Sequence, residues 1–230
     1  MSDRSGLPTG DEKARTVQAM FDRIAPRYDR LNRIMTFGMD SGWRRKSIAA
    51  LGLRGGSRVI DVACGTGDFC REAQGAGLDP IGFDVSFGML TSAATDAPLV
   101  QADGLRLPLR DGFAEGLTCG FAMRNVVDLG ALFVESARVL RAGGRVAFLD
   151  TAQPDNAILS FGHRIYFHKV VPRVGAWLSD KDAYSYLPKS TAYLPPKTEL
   201  IALLQGAGFD DVSVRSFGLG AVQLLTGTRR

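Results

Sequence analysis

One segment constrains the fold of this chain more than any other. Arg58-Val-Ile-Asp-Val-Ala63 is a short apolar, β-branched run. Cys64-Gly65-Thr66-Gly67 breaks it, and Asp68 to Gln74 resumes with helical spacing. A run this short, closed by glycines, reads as a buried strand rather than a helix. The glycines let the backbone turn tightly, so that a helix returns over the strand. A strand, a glycine turn and a returning helix make the opening unit of a parallel α/β sheet.

The chain then repeats the unit. Pro80 to Asp84 reads as a second strand, followed by a short helix from about Ser86 to Ala94. Pro98 to Ala102 and Leu117 to Met123 are the third and fourth strands. Leu129 to Arg141 is an amphipathic helix with Leu132, Phe133, Ser136, Val139 and Leu140 on adjoining turns, stopped by Gly143-Gly144. Arg145 to Leu149 is the fifth strand. Thr198 to Gln205 is a helix, and Asp211 to Phe217 and Val222 to Thr228 are the last two strands. These two lie too close for a parallel crossover and are expected to pair antiparallel. The prediction is a doubly wound α/β domain with seven strands, mostly parallel, one antiparallel strand near the C-terminus, and helices on both faces.

Residues 1–13 are polar and hold Gly6, Pro8 and Gly10, so they read as a loose tail before a single domain over 14–230. Within that domain, 14–52 is expected to be helical: Val17, Met20, Phe21 and Ile24 share one face before Pro26, and Trp43 to Leu51 ends at Gly52. Between Thr151 and Lys197 about 45 residues interrupt the alternation, too many for a plain connection, and read as an insertion over 151–197 at one edge of the sheet.

Composition removes several classes. A hydrophobic fraction of 45% with 23% charged residues is ordinary for a globular chain. No stretch reaches the roughly 18 to 20 apolar residues of a membrane span, and no signal peptide is expected. Cys64, Cys70 and Cys119 show no metal-ligand rhythm and read as reduced thiols of a cytoplasmic protein; no metal is expected. A net charge of +4 calls for no nucleic-acid partner, yet tolerates an anionic membrane surface.

Ligands of doubly wound sheets sit beyond the carboxyl ends of the strands. The first strand ends in Asp61 and the Gly65-Thr66-Gly67 loop, whose following helix aims its free N–H groups at the same place. The second ends in Asp84, an acid placed to accept both hydroxyls of a ribose. The third is followed by Asp103-Gly104, suited to an adenine amino group and close backbone approach. A dinucleotide loop would want a third glycine near Cys70, which disfavours a nicotinamide dehydrogenase. The structural alternative is that Asp84 and Asp103 only cap the next helix or turn.

With these residues in hand, the chain resembles the class I S-adenosylmethionine methyltransferases, which are Rossmann-like. More closely it resembles the C-methyltransferases that finish menaquinone and ubiquinone synthesis. The likeness runs from about Val17 to the C-terminus. It rests on Met20 to Asp29, Asn32 to Gly38, Trp43-Arg44, Asp61 to Asp68, Phe83-Asp84, Gly88-Met89-Leu90 and Leu107-Pro108. Its most specific parts are Phe121-Ala-Met-Arg124-Asn125-Val126 and Tyr166-Phe167-His168 through Pro172 to Gly175, with Tyr184 to Leu187 and Ala207-Gly208-Phe209 completing it. The resemblance implies S-adenosylmethionine as cofactor, with Asp61, Gly65, Thr66, Gly67, Asp84, Met89, Asp103 and Gly104 around it. Where the family usually has serine before Phe121, this chain has Gly120, which offers only its backbone. Three more departures lie on the substrate side: Asp150-Thr-Ala-Gln-Pro154, Tyr186-Leu-Pro188-Lys189-Ser190 and Leu225-Thr-Gly227-Thr-Arg229.

The implied acceptor is a reduced prenylated quinone, most nearly demethylmenaquinol, whose ionised hydroxyl makes the neighbouring ring carbon nucleophilic. Arg124 is a candidate to steady that quinolate, Asp150 to accept a proton, and His168 to titrate near neutral pH. Each has a plain rival: Arg124 pairing with Asp61 or Asp128, Asp150 as a turn residue, His168 as a packed or solvated side chain. Tyr28 and Asp29 are candidates to close over the cofactor. From Asn156 to Ser179 there is no acidic residue, while Arg164, Lys169 and Arg173 alternate with Phe161, Tyr166, Phe167 and Trp177. That mixture suits an apolar tunnel or peripheral contact with anionic lipid at the inner membrane face; its rival is a cap helix with a wet basic face. A homodimer is left open. The enzyme alternatives are a ubiquinone-precursor methyltransferase and one for a small aromatic natural product; the non-enzyme alternative is a cofactor-binding scaffold.

Overall fold

In the computed structural model, which describes residues 9–152 and 190–230, the elements are α1 (Gly10–Ile24), α2 (Tyr28–Met35), α3 (Met39–Leu51), β1 (Arg58–Val62), α4 (Asp68–Gly75), β2 (Asp79–Asp84) and α5 (Phe87–Thr91). They continue with β3 (Leu99–Gln101), β4 (Ala114–Gly120), α6 (Leu129–Val139), β5 (Leu140–Thr151), α7 (Lys197–Gly206), β6 (Phe209–Phe217) and β7 (Val222–Arg229). The sheet has seven strands in the order β3-β2-β1-β4-β5-β7-β6. β1 runs parallel to β2 and β4, and β7 is inserted antiparallel between β5 and β6. The doubly wound architecture expected from the alternation is therefore present. The strand order reverses at β1 and β4, which places a crevice beyond their carboxyl ends.

Alternation along the strands divides the core between two faces. Ile60 and Val62 pack with Leu117, Phe133, Phe148 and Leu225 on one side of the sheet. Val59 packs with Leu51, Phe69, Leu149 and Leu224 on the other. The central strands are buried on both faces, which is why they read as nearly continuous apolar runs. Phe133 of α6 stands 5.0 Å from Phe148 of β5 between ring centroids, anchoring that helix to the sheet.

Several boundaries differ from the sequence reading, each for a local reason. The expected tail ends earlier, because Gly10 to Lys13 form the first turn of α1 and Lys13 is buried. Pro26 ends α1, but the chain crosses one 3-10 turn, Ala25–Arg27, and restarts as α2. β4 begins at Ala114 and stops at Gly120, where Phe121 turns with φ +57°. β5 begins at Leu140, paired with Ala114, and the register then jumps to Gly116↔Arg145. Gly143-Gly144 thus shapes a bulge inside the strand rather than only stopping a helix; Gly143 has φ +74°. Of the insertion expected over 151–197, Thr151 belongs to β5 and Lys197 to α7; His168 and the basic-aromatic stretch lie outside the described residues.

Candidate active site

The carboxyl end of β1 makes the floor of a cavity. After Val62 the chain turns through Ala63 (φ +54°), Gly65 (φ +56°) and Gly67 (φ +82°). Left-handed backbone costs an alanine roughly 1 kcal/mol, a strain that concentrates at ligand-holding turns. Cys64 N donates to Phe83 O at 3.0 Å and Gly67 N to Cys64 O at 2.9 Å, folding the loop onto β2. A Cβ on Gly67 would fall 2.5 Å from the Thr95 methyl, so the loop is packed as well as turned. Arg44 of α3 ties the loop to the N-terminal helices: it pairs with Asp40 on its own helix and with Asp68, the first residue of α4, at 2.8 Å.

Asp84 ends β2 and is 9% exposed. Its Oδ2 accepts from Gly65 N and its Oδ1 from Ser86 N, both at 2.8 Å. Capping and ligand-holding are not exclusive here. Each carboxylate oxygen has a second lone pair, and the group faces the cavity with only neutral donors attached. Burial pushes its pKa up and outweighs the amide bonds that oppose it. Asp103 also does both: its Oδ1 accepts from Leu105 N at 2.9 Å, and it lies at the cavity wall beside Gly104.

The cavity has a volume of about 410 Å³. It brings together Gly65, Asp84, Met89, Asp103, Gly104 and Gly120 from the candidate set. Its acids are Asp84 and Asp103, and no Lys or Arg is among its described lining residues. That polarity disfavours a pyrophosphate and suits hydroxyls, amines and a cation. A Cβ on Gly104 would stand 2.6 Å from Val62, and one on Gly65 3.2 Å from the Met89 methyl, so both glycines are packed closely against the cavity's own wall. A Cβ on Gly120 would fall 2.4 Å from the Phe69 ring. Phe69 therefore occupies the place a serine would need, which is a physical reason for glycine at that position.

Three candidates stand behind the wall instead. Thr66 is buried, and its hydroxyl donates to Asp29 of α2. Gly67 shapes the turn. Asp61 is 1% exposed and accepts from Thr118 Oγ1 at 2.8 Å and from Cys70 Sγ at 3.7 Å. Burial raises its pKa to about 7 against those two bonds. None of the three lines the cavity.

Arg124 and Asp150 pair with each other. Arg124 is not paired with Asp61 or Asp128, the expected alternatives; its guanidinium meets the Asp150 carboxylate, which is fully buried. Asp150 accepts as well from Arg124 N at 3.2 Å and Thr151 N at 2.7 Å. Neither side chain is among the cavity's described lining, and the pair fixes the turn Met123–Asn125. Asn125 and Val126, next along the chain, do face the cavity. His168 lies outside the described residues.

Sequence reasoning missed part of the wall. Ala14, Val17, Gln18 and Phe21 of α1 face the cavity, as do Ala63 and Phe121, two left-handed residues without glycine's licence. Nothing in a single sequence marks such backbone, though the helical stripe of α1 was legible as an apolar face in search of a partner. Tyr28 lines the cavity too; burial raises its pKa, while Asn32, Arg124 and Arg44 pull the other way.

The profile of the ubiE/COQ5 methyltransferase family matches residues 9–229 of the chain. A demethylmenaquinone methyltransferase of Roseiflexus castenholzii is 41% identical over 97% of this chain and 98% of its own length. The chain belongs to the ubiE/COQ5 methyltransferase family. A ubiquinone/menaquinone biosynthesis C-methyltransferase UbiE of Syntrophotalea carbinolica is 37% identical, covering 91% of this chain and 92% of its own. Among solved structures, a methyltransferase from Thermotoga maritima superposes with a TM-score of 0.65 at 18% identity, over 93% of this chain and 99% of that one, which shows the shared fold. Members of this family are methyltransferases, and S-adenosylmethionine is the cofactor of this one.

Proposed function

We propose that this methyltransferase transfers the methyl group of S-adenosylmethionine to a ring carbon of a reduced prenylated quinone, demethylmenaquinol above all. The acid-lined cavity at the switch point, with no Lys or Arg among its described lining, carries the reading, supported by relatives named for that reaction. Asp84 takes the ribose hydroxyls, the Gly65 and Gly67 turn admits the cofactor close to the backbone, Asp103 and Gly104 meet the adenine edge, and Met89 and Gly120 close the sides. Asp61, Thr66 and Gly67 hold that wall in shape from behind. When bound, the cofactor would supply an electrophilic methyl on a cationic sulfur, in a cavity whose described charged lining residues are both acids.

The remaining residues position an acceptor and exclude water. Tyr28, Asn125 and Phe121 offer a hydroxyl, an amide and an aromatic edge at the cavity. The Arg124–Asp150 pair stiffens the turn that carries Asn125, and its charge reaches Tyr28. His168 remains our candidate for the proton that leaves the ring carbon. A prenyl tail requires apolar surroundings, and the basic-aromatic stretch 156–179 would meet an anionic bilayer at its inner face; no described helix is long and apolar enough to cross one.

The deciding experiment gives the protein labelled S-adenosylmethionine with reduced naphthoquinones, benzoquinones and simple phenols. Label on naphthoquinols is expected; label on none of the quinols defeats the proposal. Co-sedimentation with anionic vesicles that weakens with salt is the corresponding test of the membrane contact, and indifference to vesicles removes it.

A further inference from the structure

α1 lies across the cavity, and three polar side chains on it reach the rim. Asp22 Oδ1 accepts from Ser86 Oγ at 2.5 Å and from Gly88 N at 2.9 Å. Gln18 Nε2 donates to Val85 O at 3.0 Å. Lys13 Nζ donates to Val126 O at 2.7 Å and stands 3.7 Å from the centre of the Tyr193 ring. Between these contacts Ala14, Val17 and Phe21 cover the space. Positions 13, 14, 17, 18, 21 and 22 form one stripe of a helix, so a single rigid element makes all of these contacts.

The two rims belong to different parts of the chain. Val85, Ser86 and Gly88 follow β2, the strand that ends in Asp84; Val126 follows the turn beyond β4. α1 therefore bridges the cofactor side to the Asn125 side. Ser86 is the joint on the first rim. Its amide donates to Asp84 Oδ1, its hydroxyl bonds Asp22, and the same oxygen accepts from Met89 N at 3.1 Å. Gly88 matters for fit: a Cβ there would stand 3.0 Å from Asp22 Cα and from Asp22 O, so only glycine lets α1 settle this low.

α1 covers one side of a cavity that is otherwise partly open, so lifting the helix widens the path by which a ligand enters and leaves. The Gln18–Val85 and Asp22–Gly88 bonds are exposed to water, so opening exchanges them for hydration at little cost. The 3-10 turn Ala25–Arg27, which separates α1 from α2, supplies a hinge. We propose that α1 is a hinged roof, and that Asp22, Gln18 and Lys13 are positioning residues that set how long S-adenosylmethionine stays bound. The proposal rests on the reading that this cavity is the cofactor's.

The test follows release of labelled S-adenosylmethionine from the full chain into excess unlabelled cofactor. Asp22→Ala, which loses two bonds to a charged acceptor, is expected to release it about tenfold faster, Lys13→Met comparably, and Gln18→Ala about threefold faster. KM for the cofactor rises by similar factors, while kcat does not fall in proportion. Hydrogen exchange across residues 13–22 slows when the cofactor binds. Thermal unfolding reports whether each variant is folded; if Asp22→Ala is not, Lys13→Met and Gln18→Ala carry the same measurement. Unchanged release in the folded variants, or exchange in α1 that ignores the cofactor, overturns the roof. A wild-type chain that binds no S-adenosylmethionine overturns the cofactor reading beneath it, and shows this before any variant is made.

Discussion

Two acids at the carboxyl ends of strands on opposite sides of the sheet's centre are treated in opposite ways. Asp84, closing β2, is bonded by two backbone amides and faces the cavity. Asp150, near the end of β5, is fully buried and bonded by a guanidinium and two amides. Neutral donors orient a carboxylate and leave it acceptor capacity; a buried cation takes up that capacity and balances its charge. Position at a strand's carboxyl end therefore does not by itself make an acid a ligand. What stands opposite the carboxylate decides.

The largest expected effect breaks the Arg124–Asp150 side of this comparison. Arg124→Ala strands a buried charge, so it is expected to cost about 3–5 kcal/mol and lower Tm by roughly 10 °C. Arg124→Met with Asp150→Leu removes both charges and should recover most of that loss. If Arg124 steadies the quinolate directly, Arg124→Ala instead ends turnover in a folded protein. A variant that keeps the wild-type Tm and loses only turnover would return Arg124 to direct chemistry.

Asp84 is expected to behave the other way. Asp84→Ala should weaken S-adenosylmethionine binding about 100-fold in calorimetry, from lost charge-assisted bonds to the ribose, with a smaller change in Tm. A large loss of Tm with unchanged affinity would place Asp84 with Asp150 as a framework acid.

These contrasts explain which parts of the molecule were legible in its sequence. β1, its glycine loop, α4 and Asp84 occupy one continuous stretch, where strand length, glycine spacing and the terminal acid all act locally. The seven strands were legible because burial on both faces leaves apolar runs that alternate with helices. The Arg124–Asp150 pair was not, because its partners are 26 residues apart and the sequence holds several other acids that an arginine could meet, Asp61 and Asp128 among them. Lys13 and Val126 are 113 apart, and a lysine in a polar opening segment carries no mark of burial. Ala63 and Phe121 adopt backbone that the sheet imposes and their side chains oppose. Local chemistry was readable; long-range pairing and strain were not.

A third acid sharpens the comparison through pH. Asp61 has neither a facing cation nor the cavity, and burial raises its pKa to about 7. Well below pH 4 it is protonated in both states and its contribution to stability is fully present. As pH rises through 4 toward 7 the unfolded chain releases the proton while the folded chain retains it, so stability falls, by something on the order of 4 kcal/mol, and levels off above. Asp29 and Asp84, also raised by burial, act in the same sense. Asp61→Asn keeps an acceptor for Thr118 and should flatten the decline in Tm between pH 4 and 7. An unaltered slope would mean that Asp61 ionises normally in the folded protein.

The smallest effect concerns the position where the family usually has serine. Gly120 lies at the end of β4 with the Phe69 ring where a Cβ would go. Gly120→Ser should cost about 1 kcal/mol through overpacking and lower cofactor affinity severalfold, because relief requires either Phe69 or the cavity wall to move. Pairing it with Phe69→Leu removes the obstacle, and the double variant should bind S-adenosylmethionine at least as well as Gly120→Ser alone while losing some core packing around Phe69. The two changes would then be non-additive, as neighbours in contact are. Strict additivity in Tm and affinity would show that the ring and the glycine are independent, and that this chain lacks the serine for a reason other than space.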